Sequence, residues 1–329
     1  MGTPEFPSPP APEVDPASPL LFVINAASGR NDREATRAAL EASLREAGRT
    51  GELLEAKPDA IGRLAQEAAA QAVARRTAVI AVGGDGTLNA VANAAHARGC
   101  AMGVVPRGTF NYFARTHGLP VDAAEAVSAL VRAQPVPVQV GTINDRLFLV
   151  NASLGLYPQL LEDRETFKQR FGRRRWVAVG AALFTLLGRH RQLRLRIELT
   201  GEMRDVTTPT LFVGNNRLQL KQVGLEVASL GDGRIAAVML RPIGTLSMFW
   251  LLCRGAFGTL GEASTVESFQ FQSMVVRPRG FGADRLKVAM DGEVSWLRAP
   301  VEFRAAATPL YLLKSRMSPE GEDSEQAGA

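Results

Sequence analysis

Residues 78 to 97 pass from an uninterrupted apolar run, Ala78-Val79-Ile80-Ala81-Val82, through Gly83-Gly84-Asp85-Gly86-Thr87 into a helix-patterned stretch from Leu88 to Ala97. Strand, glycine turn and helix in that order commit this part of the chain to a βα unit of a parallel sheet. Glycines around one carboxylate let backbone N–H groups approach an anion, and the helix N-terminus adds its positive dipole end. Phosphate is the natural ligand of such a turn. Asp85 repels phosphate unless a cation or a hydroxyl donor stands between them, which points to a metal-bound nucleotide. Taken alone, the same string is also a good tight turn.

Two more strand-to-helix loops carry polar residues. Leu20 to Ile24 leads into Asn25-Ala26-Ala27-Ser28-Gly29, and Gly103-Val104-Val105 leads into Pro106-Arg107-Gly108-Thr109-Phe110-Asn111. Between these lie a helix pattern over Arg33 to Ala47, a short strand at Leu53-Leu54, and a helix with Ile61, Leu64, Ala65, Ala68 and Ala72 on one face. This βαβα rhythm predicts a doubly wound α/β domain over residues 20–134. Loops after successive parallel strands gather at the carboxyl edge of the sheet, so the three should converge on one crevice.

After Pro135-Val136-Pro137 the rhythm changes to short β-rich runs separated by turns, including Arg146 to Val150, Leu193 to Leu199, Ile235 to Leu240, Val266 to Val276 and Leu286 to Met290. Residues 135–306 are therefore read as an antiparallel, sandwich-like second domain. The proline-rich start, residues 1–19, and the small, acidic and polar end, residues 315–329, are read as disordered tails.

The 329-residue chain is 46% hydrophobic and carries a net charge of +5, which suits an ordinary globular protein. Its two cysteines, Cys100 and Cys253, lack metal-ligand spacing and give no disulfide framework, so a reducing cytoplasm is expected. With 6% aromatic residues and no alternation of basic and aromatic side chains, nucleic-acid binding is set aside. The stretch from Phe167 to Arg194 combines Lys168, Arg170, Arg173, Arg174 and Arg175 with Trp176 and an apolar run. It reads either as a helix lying at an anionic membrane surface or as a core helix with solvated ends.

The set Asn25-x-x-Ser28-Gly29, Gly83-Gly84-Asp85-Gly86-Thr87-x-Asn89, Pro106-x-Gly108-Thr109-x-Asn111 and Asp291-Gly292-Glu293 resembles the diacylglycerol kinase catalytic domain family, which includes bacterial lipid kinases and sphingosine kinases. The wider superfamily, with NAD kinases and phosphofructokinases, shares the Gly-Gly-Asp-Gly turn. The resemblance implies that Asn25, Ser28, Gly29, Gly83, Gly84, Asp85, Gly86, Thr87, Asn89, Gly108, Thr109 and Asn111 bind the nucleotide. It implies that Asp291 or Glu293 takes the proton of a lipid hydroxyl, with Asp85 organising metal or water. It also implies that a final strand within residues 307–314 returns to the first domain.

Ser229-x-x-Asp232-Gly233-Arg234 resembles the family's structural magnesium site, with Arg234 offering its backbone carbonyl. Gly231 and Ala236 or Ala237 stand where relatives carry acids, so a plain turn is an equal reading. Ala26, Ala90 and Tyr112 are further departures from the family pattern. The expected activity is ATP- and Mg²⁺-dependent phosphorylation of a lipid, foremost diacylglycerol, by a cytoplasmic protein peripherally associated with an anionic membrane. A kinase acting on NAD or another small molecule, and a nucleotide-binding membrane module without catalysis, are the alternatives.

Overall fold

The computed structural model describes residues 10–26, 30–108, 111–156, 158, 192–199, 201–215, 233–242, 266–280 and 284–314. Among these, Cα proximity separates two units: residues up to Val138 together with those from Thr308, and Gln139–Ala307.

The first unit runs β1 (Leu20–Asn25), α1 (Arg30–Glu46), β2 (Gly51–Ala56), α2 (Ile61–Ala74), β3 (Val79–Gly83), α3 (Asp85–Arg98), β4 (Ala101–Pro106), α4 (Tyr112–Thr116), α5 (Ala123–Val131) and β5 (Gln134–Val138). Continuous apolar strands such as Leu20 to Ile24 and Val79 to Val82 are buried along their whole length, the pattern of a parallel sheet covered on both faces. On α2, Ile61, Ala65, Ala68, Ala69 and Ala72 are buried at helical spacing, and their small size lets the helix pack close.

The expected boundary at 134/135 shifts. Pro135 and Pro137 lie inside β5, which pairs antiparallel with the last strand of the chain at Leu310–Lys314. Residues 10–19 also depart from expectation. Val14 packs against the core, the Asp15 N–H donates to the Arg76 carbonyl at 2.8 Å, and the Ser18 hydroxyl donates to the Arg75 carbonyl at 2.8 Å. A proline-rich composition raises the cost of helix or sheet, but it does not prevent docking through a few backbone bonds.

The second unit contains β6 (Gly141–Ile143), β7 (Arg146–Phe148), β8 (Asn151–Gly155), β9 (Leu193–Leu199), β10 (Glu202–Thr208), β11 (Thr210–Gly214), β12 (Ile235–Leu240), β13 (Val266–Phe271), β14 (Ser273–Pro278), β15 (Arg285–Met290), β16 (Glu293–Arg298) and β17 (Val301–Ala305). They form two antiparallel sheets, ordered β10-β9-β14-β17-β6-β7 and β13-β12-β11-β8-β15-β16. Ile197, Met274 and Phe303 of one sheet share a core with Leu154, Leu211 and Val288 of the other, which makes the unit a sandwich. The run Val266 to Val276 is two strands in different sheets, divided at Gln272.

Strand β18 (Leu310–Lys314) returns to the first unit, whose sheet is ordered β2-β1-β3-β4-β18-β5. It lies parallel to β4 and antiparallel to β5, and Leu310, Tyr311, Leu312 and Leu313 are all buried. Among the described residues, no helix is long and apolar enough to cross a membrane.

Candidate functional site

In the first sheet, Ile24 is in register with Val82 and Val82 with Val105, so Asn25, Gly83 and Pro106 end their strands at the same carboxyl edge. The chain leaves β1 toward β2 on one side and continues from β3 on the other. That reversal of strand order marks the edge where α/β sheets place ligands. The three polar loops expected to converge do leave from this edge, although Ser28, Gly29 and Thr109 lie outside the described residues.

The glycines at the edge have separate uses. A Cβ on Gly83 would stand 2.7 Å from the hydroxyl of buried Thr87, so Gly83 and Thr87 are a packing pair, and Thr87 faces the sheet. Gly84 is the N-cap of α3 and has room, its nearest neighbour being the Gly108 Cα at 3.9 Å from a would-be Cβ. The open backbone of the turn therefore lies at Gly84 to Gly86, where the first N–H groups of α3 have no partner within the helix.

The second and third loops are tied together. The Arg107 N–H donates to the Gly83 carbonyl at 2.9 Å, and the Gly108 N–H donates to Asn111 Oδ1 at 3.1 Å. Asn111 adopts φ +48°, a left-handed conformation that asparagine tolerates better than most residues, and stands at the N-cap position of α4 with its side chain turned to Gly108 instead of to the helix. Asn89 is held by Asn93, whose amide donates to both Asn89 Oδ1 and the Asn89 carbonyl at 2.9 Å. Sequence reasoning missed Arg107, an exposed cation at the head of the third loop. Its signal was a basic residue directly after a buried parallel strand.

Asp85 begins α3, and its side chain reaches solvent. Burial pushes its carboxyl above the usual range. Among the described residues, no three His, Cys, Asp or Glu side chains group to hold a metal. Mg²⁺ takes hard oxygens and is commonly held by one or two carboxylates together with substrate phosphates. A lone carboxylate beside an open helix N-terminus fits that donor set only in the company of a nucleotide.

The second cluster lies in the other unit. Asp291 and Gly292, with φ +45° and +91°, join β15 to β16 in a tight hairpin in which Met290 opposes Glu293. Two positive φ values are what a type I′ turn requires, and the Asp-Gly pair supplies them. The Asp291 carboxylate also accepts three backbone bonds, from Leu149 N–H at 2.8 Å, Val150 N–H at 2.9 Å and Asn151 N–H at 3.1 Å. Its own N–H donates to the Asn151 carbonyl at 2.9 Å. Asp291 thus fastens the hairpin to the segment entering β8, while Glu293 stands exposed at the start of β16.

Ser229 and Asp232 lie outside the described residues, as does most of the basic and apolar stretch from Phe167 to Arg194. The Arg234 carbonyl accepts from the Gln139 amide at 2.7 Å, and Gln139 Oε1 accepts from the Gly233 N–H at 3.2 Å. A side-chain amide therefore bridges this turn.

Residues 19–143 match the family model of the diacylglycerol kinase catalytic domain. A Pseudomonas aeruginosa protein named "Probable lipid kinase YegS-like" is 34% identical over 170 residues, covering 50% of this chain and 54% of that protein. A Staphylococcus carnosus protein named "Diacylglycerol kinase" is 42% identical over 79 residues, covering 23% of this chain and 26% of its own length. The chain thus spans from about a quarter to just over half of these relatives. Two Bacillus anthracis crystal structures, one of them described as a diacylglycerol kinase, superimpose with TM-scores of 0.68 and 0.62 at 20% and 17% identity. Each comparison covers 92% of this chain and 98% of the other. The α/β unit with an antiparallel second unit is therefore a shared fold. Residues 19–143 are thus the segment of this chain that is similar to the diacylglycerol kinase catalytic domain family.

Proposed function

We propose that the protein is an ATP-dependent lipid kinase that transfers the γ-phosphate to the hydroxyl of a lipid, foremost diacylglycerol. The observation that carries this reading is Asp85: a carboxylate at an open helix N-terminus, on the edge where three polar loops leave a parallel sheet. The names of the relatives, a lipid kinase and a diacylglycerol kinase, supply the class of acceptor.

In the reaction, the lipid oxygen bonds to the γ-phosphorus as the bond to the β-phosphate oxygen breaks, and ADP leaves. The backbone of Gly84 to Gly86 cradles phosphate, with Asn25 and the Gly108–Asn111 loop as further contacts. Asp85 would hold Mg²⁺ when it is bound, and the ion would supply the charge that lets a carboxylate and a polyphosphate share the site. The hydroxyl proton passes to Glu293, whose carboxylate is exposed, whereas Asp291 spends its oxygens on three N–H donors and acts as a positioning residue. Such a protein works in the cytoplasm at the membrane surface, where its acceptor resides.

The test is transfer of labelled γ-phosphate from ATP, with Mg²⁺, onto a total lipid extract in mixed micelles. One labelled product migrating as phosphatidic acid is expected, with Asp85→Asn and Glu293→Gln each lowering turnover by about 100-fold or more. Wild-type protein that binds ATP yet labels no lipid, or variants that label as well as wild type, would overturn the reading.

A further inference from the structure

The second sheet of the sandwich ends at β16, and the hairpin it forms with β15 has two unlike faces. Leu286 and Val288, with Leu297 beside them, join the core. The opposite face carries Arg285 across from Arg298 and Lys287 across from Trp296. At strand spacing, these four side chains fall within roughly 7 Å along the strand and 5 Å across it.

Two observations mark this face as unfinished. Arginines directly opposite each other repel, and neither Arg285 nor Arg298 has an ion pair among the described residues. Trp296 is 61% exposed and is the one aromatic among the exposed large apolar side chains of the described residues. Lys287 Nζ sits 5.2 Å from the centre of its ring, so a cation already occupies one π-face. Three cations around one exposed indole match an anionic lipid surface. The indole suits the headgroup boundary, with an apolar body and one N–H donor, and each basic side chain gains from the negative surface potential. A second copy of the chain pairing along the β16 edge would instead bring more cations onto the same face.

We propose that the outer face of the β15–β16 hairpin, through Arg285, Lys287, Trp296 and Arg298, docks the protein on anionic membrane surfaces. This identifies the partner surface for the lipid kinase reading and rests on that reading for its purpose. The hairpin whose turn holds Asp291 and whose β16 begins with Glu293 is then the element seated on the lipid.

The test compares wild type with an Arg285→Gln/Arg298→Gln double variant and with Trp296→Ala, using vesicles of phosphatidylcholine with and without 30% phosphatidylglycerol. Wild type should sediment with the anionic vesicles only, with a blue shift of tryptophan emission that Trp296→Ala removes, and the double variant should bind about 30-fold more weakly. Turnover of a short-chain diacylglycerol dispersed as monomers should stay at the wild-type level in both variants, while turnover on anionic vesicles falls. Equal vesicle binding by wild type and variants, or a wild type that binds no anionic vesicle, overturns the proposal, as does a self-associated wild type that the variants convert to monomer. Vesicle binding lost in the variants, from a wild-type protein that labels no lipid of the total extract, would support the docking face and refute the kinase reading instead.

Discussion

His117 follows α4 with its ring edge-on to Phe113, the centroids 4.5 Å apart. Burial, and then the nearby Lys314 ammonium, press its pKa down to about 4. The folded protein therefore keeps this imidazole neutral where an unfolded chain, titrating near 6.5, takes up a proton. Between those two values the unfolded state binds more protons, so stability falls as pH drops from about 6.5 to about 4, and the contribution is complete above 6.5. Thermal unfolding at stepped pH should show this slope, and His117→Gln should flatten it even if the variant is less stable throughout. An unchanged slope in the variant would assign the acid sensitivity to other groups. At this scale the sequence was only partly legible. Asp291-Gly292 was readable as a turn or as a base, and the three N–H bonds that fix Asp291 come from residues some 140 positions away, which spacing cannot show. Thr87 belongs to the motif through its backbone, and the packing of its side chain on Gly83 was not legible from the spacing.

Among elements, the turns after β3 and β4 act as one piece. A Cβ on Gly108 would sit 2.9 Å from Asn111 Oδ1 and 3.6 Å from the Gly84 Cα. Gly108→Ala must therefore displace the Asn111 amide and break its bond from the Gly108 N–H, while the Arg107-to-Gly83 bond remains. The expected cost is about 1 kcal/mol of stability. We expect a rise of about tenfold in the KM for ATP, since the third loop loses its shape but the cradle of α3 does not. A steady-state ATP titration beside a thermal melt checks both, and an unchanged KM would remove Gly108 from the nucleotide site. The βαβα order that builds these turns was legible because buried parallel strands and amphipathic helices have different periods. The Pro135-Val136-Pro137 string was not. It reads as a break, yet prolines two apart place their missing donors on one side of a strand, which an edge strand tolerates and which discourages pairing with another chain. Gln272 was equally hidden, because the residues on either side of it are β-rich.

In the whole molecule, the second unit is an insertion in a hairpin. Val138 at the end of β5 stands directly opposite Leu310 at the start of β18, and the described strands between them, β6 to β17, belong to the two sheets of the sandwich. The inserted unit closes on itself too, with the Ala306 N–H donating to the Val140 carbonyl at 2.9 Å. The run Leu310 to Leu313 looks like any buried strand; its return to the first unit was implied only by family resemblance, and its place between β4 and β5 was not legible. That place has a consequence for folding. Four fully buried side chains of β18, at about 2 kcal/mol each, contribute roughly 8 kcal/mol to the first unit, comparable to the total stability of a typical domain. A chain covering residues 10–143, which contains the whole family-matched segment, lacks that strand and should not fold cooperatively. A chain of residues 10–138 joined by Asn-Gly to residues 310–314 restores the strand through a two-residue hairpin turn and should fold. Urea unfolding followed by circular dichroism separates the two cases: a sigmoidal transition is expected for the joined chain and none for residues 10–143. A cooperative transition of equal midpoint in both would mean that β18 is dispensable and that the sheet is stabilised without its central returning strand.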